Sequence, residues 1–161
     1  MKRSIIAIGL ALAVALAAVI PVSATEQRPF SGELTGFGVP AEQRCGPGAL
    51  TLGHQVSGVA THLGRFTGTG TNCTEFTLAT EAVAIWDGIV TVTAADGSTL
   101  KLSLEGSQSA PAAGVASYTH TDTVIDGTGR FADAAGVLVL TGTIDFNTLA
   151  ITGTVSGWLS Y

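Results

Sequence analysis

The sequence predicts an all-β protein, one antiparallel barrel or sandwich of about eight strands that follows a removable leader. Three observations carry this expectation. Apolar and polar residues alternate with period two from about Phe30 to the C-terminus, the pattern of strands with one buried and one wet face. Glycine-bearing turn signals interrupt that alternation at short spacing. Past residue 24 no long stretch carries the 3.6-residue apolar period of an amphipathic helix.

The leader comes first. Lys2 and Arg3 precede an apolar run from Ile5 to Ile20, broken only by Gly9; Pro21 ends it and Val22-Ser23-Ala24 supplies small residues for cleavage. This order of basic, apolar and small-residue regions reads as a signal peptide over residues 1–24, cut after Ala24. The run falls short of the ~20 residues a membrane-spanning helix needs. No basic stop-transfer cluster and no lipobox cysteine follow it, so no stable membrane anchor is expected after cleavage. The expected location is secreted or periplasmic. Residues 25–161 then form a single domain of about 137 residues.

Within it, Leu100-Lys101-Leu102-Ser103-Leu104-Glu105 alternates without fault, and Thr74 to Glu81 sets Phe76 and Leu78 against Glu75 and Glu81. Leu138, Leu140, Ile144 and Phe146 share one parity, as do Leu149, Ile151, Val155 and Leu159. Turns are expected at Asp87-Gly88, Asp96-Gly97, Asp126-Gly127 and Asp145 to Thr148. Asp96-Gly97 has the form of a hairpin tip. Ala132 to Ala135 has room for one helical turn before a strand from Val137. The chain ends inside a strand pattern, which suits closure of a barrel by its last strand.

Cys45 and Cys73 both lie in the exported part, where a disulfide is the default state. Two thiols or a metal site are the alternatives, and the chain has no Cys-x-x-Cys. With Lys2 and Arg3 removed, five bases face 12 acids, a net charge of −7. No basic cluster exists to neutralise phosphates, so nucleic acid is not an expected partner.

Gly64-Arg65-Phe66 and Gly129-Arg130-Phe131 repeat one three-residue pattern. The second lies in Val124-Ile125-Asp126-Gly127-Thr128-Gly129-Arg130-Phe131-Ala132-Asp133-Ala134-Ala135-Gly136. That stretch resembles the glycine-rich signature of the allene oxide cyclase and dirigent barrels, through Gly127, Thr128, Gly129, Phe131, Ala135 and Gly136. Asp126 stands where those families usually have a first glycine. The Thr61-His62-Leu63-Gly64-Arg65-Phe66 element is similar to one in small exported bacterial proteins. The resemblance implies an eight-stranded barrel with a lumen, often assembled as a homo-oligomer, and some such relatives bind or cyclise small hydrophobic molecules. The families' cavity acids find no counterparts by motif, so the resemblance carries architecture and no activity. Gly127, Gly129, Phe131 and Gly136 are accordingly read as structural, with the two Gly-Arg-Phe corners using glycine for backbone geometry and phenylalanine as a core anchor.

Chemistry could reside in Tyr118, His120 and Asp122, which share one face of a strand and could serve as catalytic acid–base groups if that face were inward. The sequence favours a solvated outer face for them. His54 shares parity with Leu50, Leu52 and Val56 and is a candidate for an inward, ligand-binding position, and His62 for one whose facing a bulge sets. The three histidines have no compact metal spacing, and no metal or other cofactor is expected. Arg65 and Arg130 could meet an anionic ligand at a barrel mouth, although pairing with acids such as Asp126 and Asp133 is the favoured role. Glu75, Glu81 and Glu105 are read as exterior. The functional expectation is an exported barrel that binds a small apolar ligand or a partner protein without catalysis. The alternative is a cofactor-free cyclase or isomerase acting on a hydrophobic substrate in the lumen.

Overall fold

A computed structural model describes residues 26–75, 82–109 and 111–161. The leader and its cleavage site, and Phe76, Leu78 and Glu81 of one expected strand, lie outside the described residues. Eight strands follow in order: β1 Arg28–Val39, β2 Ala49–Ala60, β3 Gly64–Glu75, β4 Ala82–Ala94, β5 Thr99–Ser109, β6 Val115–Gly127, β7 Ala135–Asp145 and β8 Ala150–Ser160. Each pairs antiparallel with its sequence neighbours, and β8 pairs with β1 from Arg28↔Leu159 to Phe37↔Ala150. The sheet is therefore a closed up-and-down barrel. Closure gives every strand two partners and leaves no free edge. There is no α-helix among the described residues.

Alternation builds the interior. Leu100, Leu102 and Leu104 of β5 are buried, as are Leu138, Leu140 and Ile144 of β7, and they meet Leu34, Val90, Val92 and Val155 from other strands. The intervening Thr and Ser side chains face outward, with Thr141 and Thr154, and Thr143 and Thr152, hydrogen-bonded across β7 and β8. Threonine suits that surface because its branched Cβ packs on the pleat while its hydroxyl stays wet.

The end of the barrel that holds the β2–β3, β4–β5 and β6–β7 connections is filled. Phe131 and Leu159 are fully buried there, beside Leu63 and Phe66. The Asp96-Gly97 hairpin forms as expected, with Gly97 at φ 86°. Both Gly-Arg-Phe corners sit at this end. Gly64 and Gly129 have φ of 67° and 61°, the left-handed region that favours glycine, and Phe66 and Phe131 are both buried. A side chain on Gly127 would strike the backbone carbonyl of Phe131, so this glycine serves close approach of two backbone segments.

Four local expectations need correction. Asp87-Gly88 is no turn between strands but a bulge inside β4, where the register to β5 shifts between Ile85 and Gly88 and Asp87 takes φ 48°. Asp-Gly serves a bulge as well as a hairpin because both need a positive φ. Asp126-Gly127 ends β6 instead of turning. The short helical turn is a 3-10 turn at Gly129–Phe131, ahead of the alanines, and β7 begins at Ala135. Leu149 belongs to the β7–β8 turn, with φ 60°, not to β8. The turn itself is where it was expected: Asp145 Oδ1 accepts from the Asn147 N–H at 2.8 Å.

The Cys45–Cys73 disulfide is present. It ties the β1–β2 connection to β3, and Arg44 adds an ion pair to Asp87 and a 3.3 Å hydrogen bond to Thr71 Oγ1. The segment between β1 and β2 is thus fastened to the two strands beside it. A largely buried disulfide is consistent with an extracytoplasmic location.

Candidate functional site

The barrel encloses a cavity of about 460 Å³. Its wall is mainly Leu, Ile, Val and Phe, including Leu34, Leu102, Leu104, Leu138, Leu140 and Val155. It reaches toward the end opposite the filled one, where Pro40, Ala41, Phe146 and Leu149 line it.

Into this apolar wall β6 projects Tyr118, His120 and Asp122. The expectation of a solvated outer face for them is overturned: all three are buried, and Ser117, Thr119, Thr121 and Thr123 take the outside. Register explains the orientation. His120 pairs with Leu140 and Asp122 with Leu138 on β7, and Asp122 with Leu104 on β5; directly paired residues share a face, and those leucines are core. His120 Nδ1 lies 2.7 Å from Asp122 Oδ1. A carboxylate only accepts, so Nδ1 carries the hydrogen and donates it. The Tyr118 ring stacks on His120 with centroids 5.3 Å apart, and its hydroxyl donates to the Thr152 carbonyl at 3.0 Å. Burial, with the Asp122 charge adding to it, pushes the Tyr118 phenol up to about 12.

His54 enters the same cavity from β2, as its parity suggested. Burial lowers its pKa to about 4; the nearby His120 lowers it further, against a smaller opposing pull from Asp122. His54 is thus held as a neutral imidazole, within electrostatic range of the His120–Asp122 pair. Gln108 and Asn72, both buried, add amides to the lining. Sequence reasoning singled out neither amide.

It also missed the glycines that make room for the rings. Gly70 pairs with His54, and a Cβ there would lie 2.6 Å from His54 Nε2. Gly153 stands 2.6 Å, by the same measure, from the Tyr118 hydroxyl, and Gly142 lies equally close to it. The Thr-Gly-Thr triplets of β3, β7 and β8 signal these positions, but only cross-strand register tells which ring each glycine admits.

The remaining candidates lie elsewhere. His62 sits in the β2–β3 turn at the filled end, with φ 66°. Its Nε2 approaches the Pro29 carbonyl at 3.0 Å and its Nδ1 the Tyr161 hydroxyl at 3.2 Å, so the ring bridges β1 and the C-terminus. Arg130 does pair with an acid, but with Asp96, not with Asp126 or Asp133, and it donates to the His62 carbonyl at 2.6 Å. Asp126 is occupied with the Gly127 N–H at 2.8 Å. Arg65 is exposed on β3 near the same end, away from the cavity's other reach. Glu75 and Glu105 are exterior, as expected. The described residues contain no cluster of three or more metal-ligating side chains.

The arrangement can do two things chemically. Its walls can remove an apolar molecule from water, and its polar group can orient one end of that molecule or exchange a proton with it. Comparisons with protein-family models, with curated proteins and with solved structures find no match for this chain.

Proposed function

We propose that this protein is exported through a cleaved leader and binds a small, largely apolar molecule in the lumen of its barrel, without transforming it. The cavity of about 460 Å³ carries this reading. It falls within the ~300–1,000 Å³ of small-molecule sites and, like them, combines an apolar wall with a few placed polar groups. The resemblance of the Gly127–Gly136 stretch to allene oxide cyclase and dirigent barrels supports the same architecture of use. The test is displacement of a fluorescent dye, anilinonaphthalene sulfonate, from the mature protein by apolar compounds, with native mass spectrometry of protein taken from its own host. Leu140→Trp, which fills the lumen, is expected to abolish binding. Dye binding that survives this change in a folded variant would place the ligand elsewhere.

A second reading rests on one observation, the hydrogen-bonded His120–Asp122 pair inside the lumen. An imidazole oriented by a carboxylate is a competent general base. A cofactor-free isomerase would use it to move a proton on a hydrophobic substrate that the walls hold in place. Release of a ligand chemically unchanged after prolonged incubation would favour the first reading over this one.

A further inference from the structure

The polar group in the lumen has a definite hydrogen-bonding sense, and it narrows the ligand class. Asp122 takes the hydrogen on His120 Nδ1, so in the neutral ring Nε2 carries a lone pair. Nε2 has no hydrogen-bond partner among the described residues. No side-chain nitrogen or oxygen among them is both sealed and unpartnered. His120 is only 8% exposed and lines the cavity, so its free acceptor opens onto the lumen. The neighbouring phenol cannot satisfy it, because the Tyr118 hydrogen is committed to the Thr152 carbonyl.

His54 supplies the complement from β2. It makes no hydrogen bond with the described residues, and as a neutral imidazole it owns one N–H and one lone pair. The lumen therefore shows an open acceptor at His120 and an open donor at His54, set in an apolar wall beside the fixed negative charge of Asp122.

We propose that the lumen selects an uncharged apolar alcohol, whose hydroxyl donates to His120 Nε2 and accepts from the His54 N–H. This rests on the lumen-binding reading above and gives it a ligand chemistry. A group that both donates and accepts satisfies the two imidazoles, and a hydroxyl does so from a single atom. An ether or ketone accepts only and leaves the His120 lone pair desolvated without a partner, which is costly. A carboxylate adds a second negative charge beside Asp122. An ammonium must leave water for a cavity walled by leucines, where a charge is poorly solvated.

The experiment is isothermal titration of the mature, oxidised protein at about pH 8, above the ordinary histidine range. The probes are decane, decanol, decyl methyl ether, decanoate and decylamine. Decanol is expected to bind about tenfold more tightly than the ether, the worth of one hydrogen bond to a buried acceptor. In His120→Leu that preference of alcohol over ether is expected to vanish. Equal affinity of alcohol and ether, or tighter binding of decanoate or decylammonium, would overturn the assignment while leaving a lumen that binds apolar molecules. Failure of decane and decanol alike, with no dye displaced, would remove the lumen reading itself. The series on the unaltered protein decides the matter even if the leucine variant does not fold.

Discussion

Tyr118 owes its place to two glycines on neighbouring strands, and this dependence can be measured by a double-mutant cycle. In Gly153→Ala the new methyl would lie 2.6 Å from the Tyr118 hydroxyl oxygen, 3.1 Å from the Thr141 carbonyl and 3.6 Å from the ring carbon that bears the hydroxyl. The hydroxyl is the one severe obstacle, so overpacking is expected to cost about 2 kcal/mol. Tyr118→Phe removes that oxygen and the 3.0 Å bond to the Thr152 carbonyl, a loss of about 1 kcal/mol. In the double variant the methyl finds space, and alanine's advantage over glycine inside a strand, ~0.5–1 kcal/mol, offsets the remaining contact with Thr141. The pair is then destabilised by about 1 kcal/mol, against the ~3 kcal/mol that additivity demands. Gly142→Ala is the internal control, since its methyl also strikes the Thr152 backbone carbonyl and Tyr118→Phe cannot relieve that. Urea unfolding of the four oxidised proteins, compared at constant m-value, gives the coupling. Additivity within about 0.5 kcal/mol would mean that the phenol does not lie over Gly153, and the described wall of the lumen would be wrong.

Other expectations follow from groups already placed. The folded pKa of His54, about 4, lies below its ordinary 6.5, so the unfolded chain binds the extra proton between those values. Stability is then full above about pH 6.5 and falls, by roughly 3 kcal/mol at most, as pH drops through 4; in His54→Phe that slope should flatten, as urea titrations at successive pH values will show. Reduction of Cys45–Cys73, with a sequence separation of 28, should cost about 3.5 kcal/mol in the chain-entropy model, read from paired oxidised and reduced unfolding curves. Gly129→Val forces a β-branched residue to φ 61° and sets its Cβ against Ser98 Oγ; a loss of ~1–3 kcal/mol in thermal unfolding is expected, with no nucleotide affinity before or after.

How much of this was legible in the chain depended on contrast between the faces of each strand. β5 could be read directly, because Leu100, Leu102 and Leu104 oppose Lys101, Ser103 and Glu105. β6 could not: its outer face is Ser and Thr, and its inner face carries Tyr118, His120 and Asp122, so both sides look polar. Binary pattern fails where a strand contributes polar groups to a cavity, and those are the positions where function concentrates. Ala116, buried on the same parity as His120, is too small to tip the balance. The missing information was register. Once Asp122 is known to sit opposite Leu104 and Leu138, its facing follows, but pairing partners so distant in sequence leave no local trace.

The seam between β1 and β8 has a consequence for how the chain matures. Arg28 stands opposite Leu159, so the first described strand waits for the last before its second row of hydrogen bonds can form. Contacts of such long range are slow to make, because the entropy of bringing distant segments together is spent before the pairing rewards it. Until β8 is made, β1 therefore keeps one row of N–H and C=O groups without a strand partner, and the barrel stays open along that seam. A topology that joins the first strand of the sheet to its last becomes a closed ring only when the whole sheet is present.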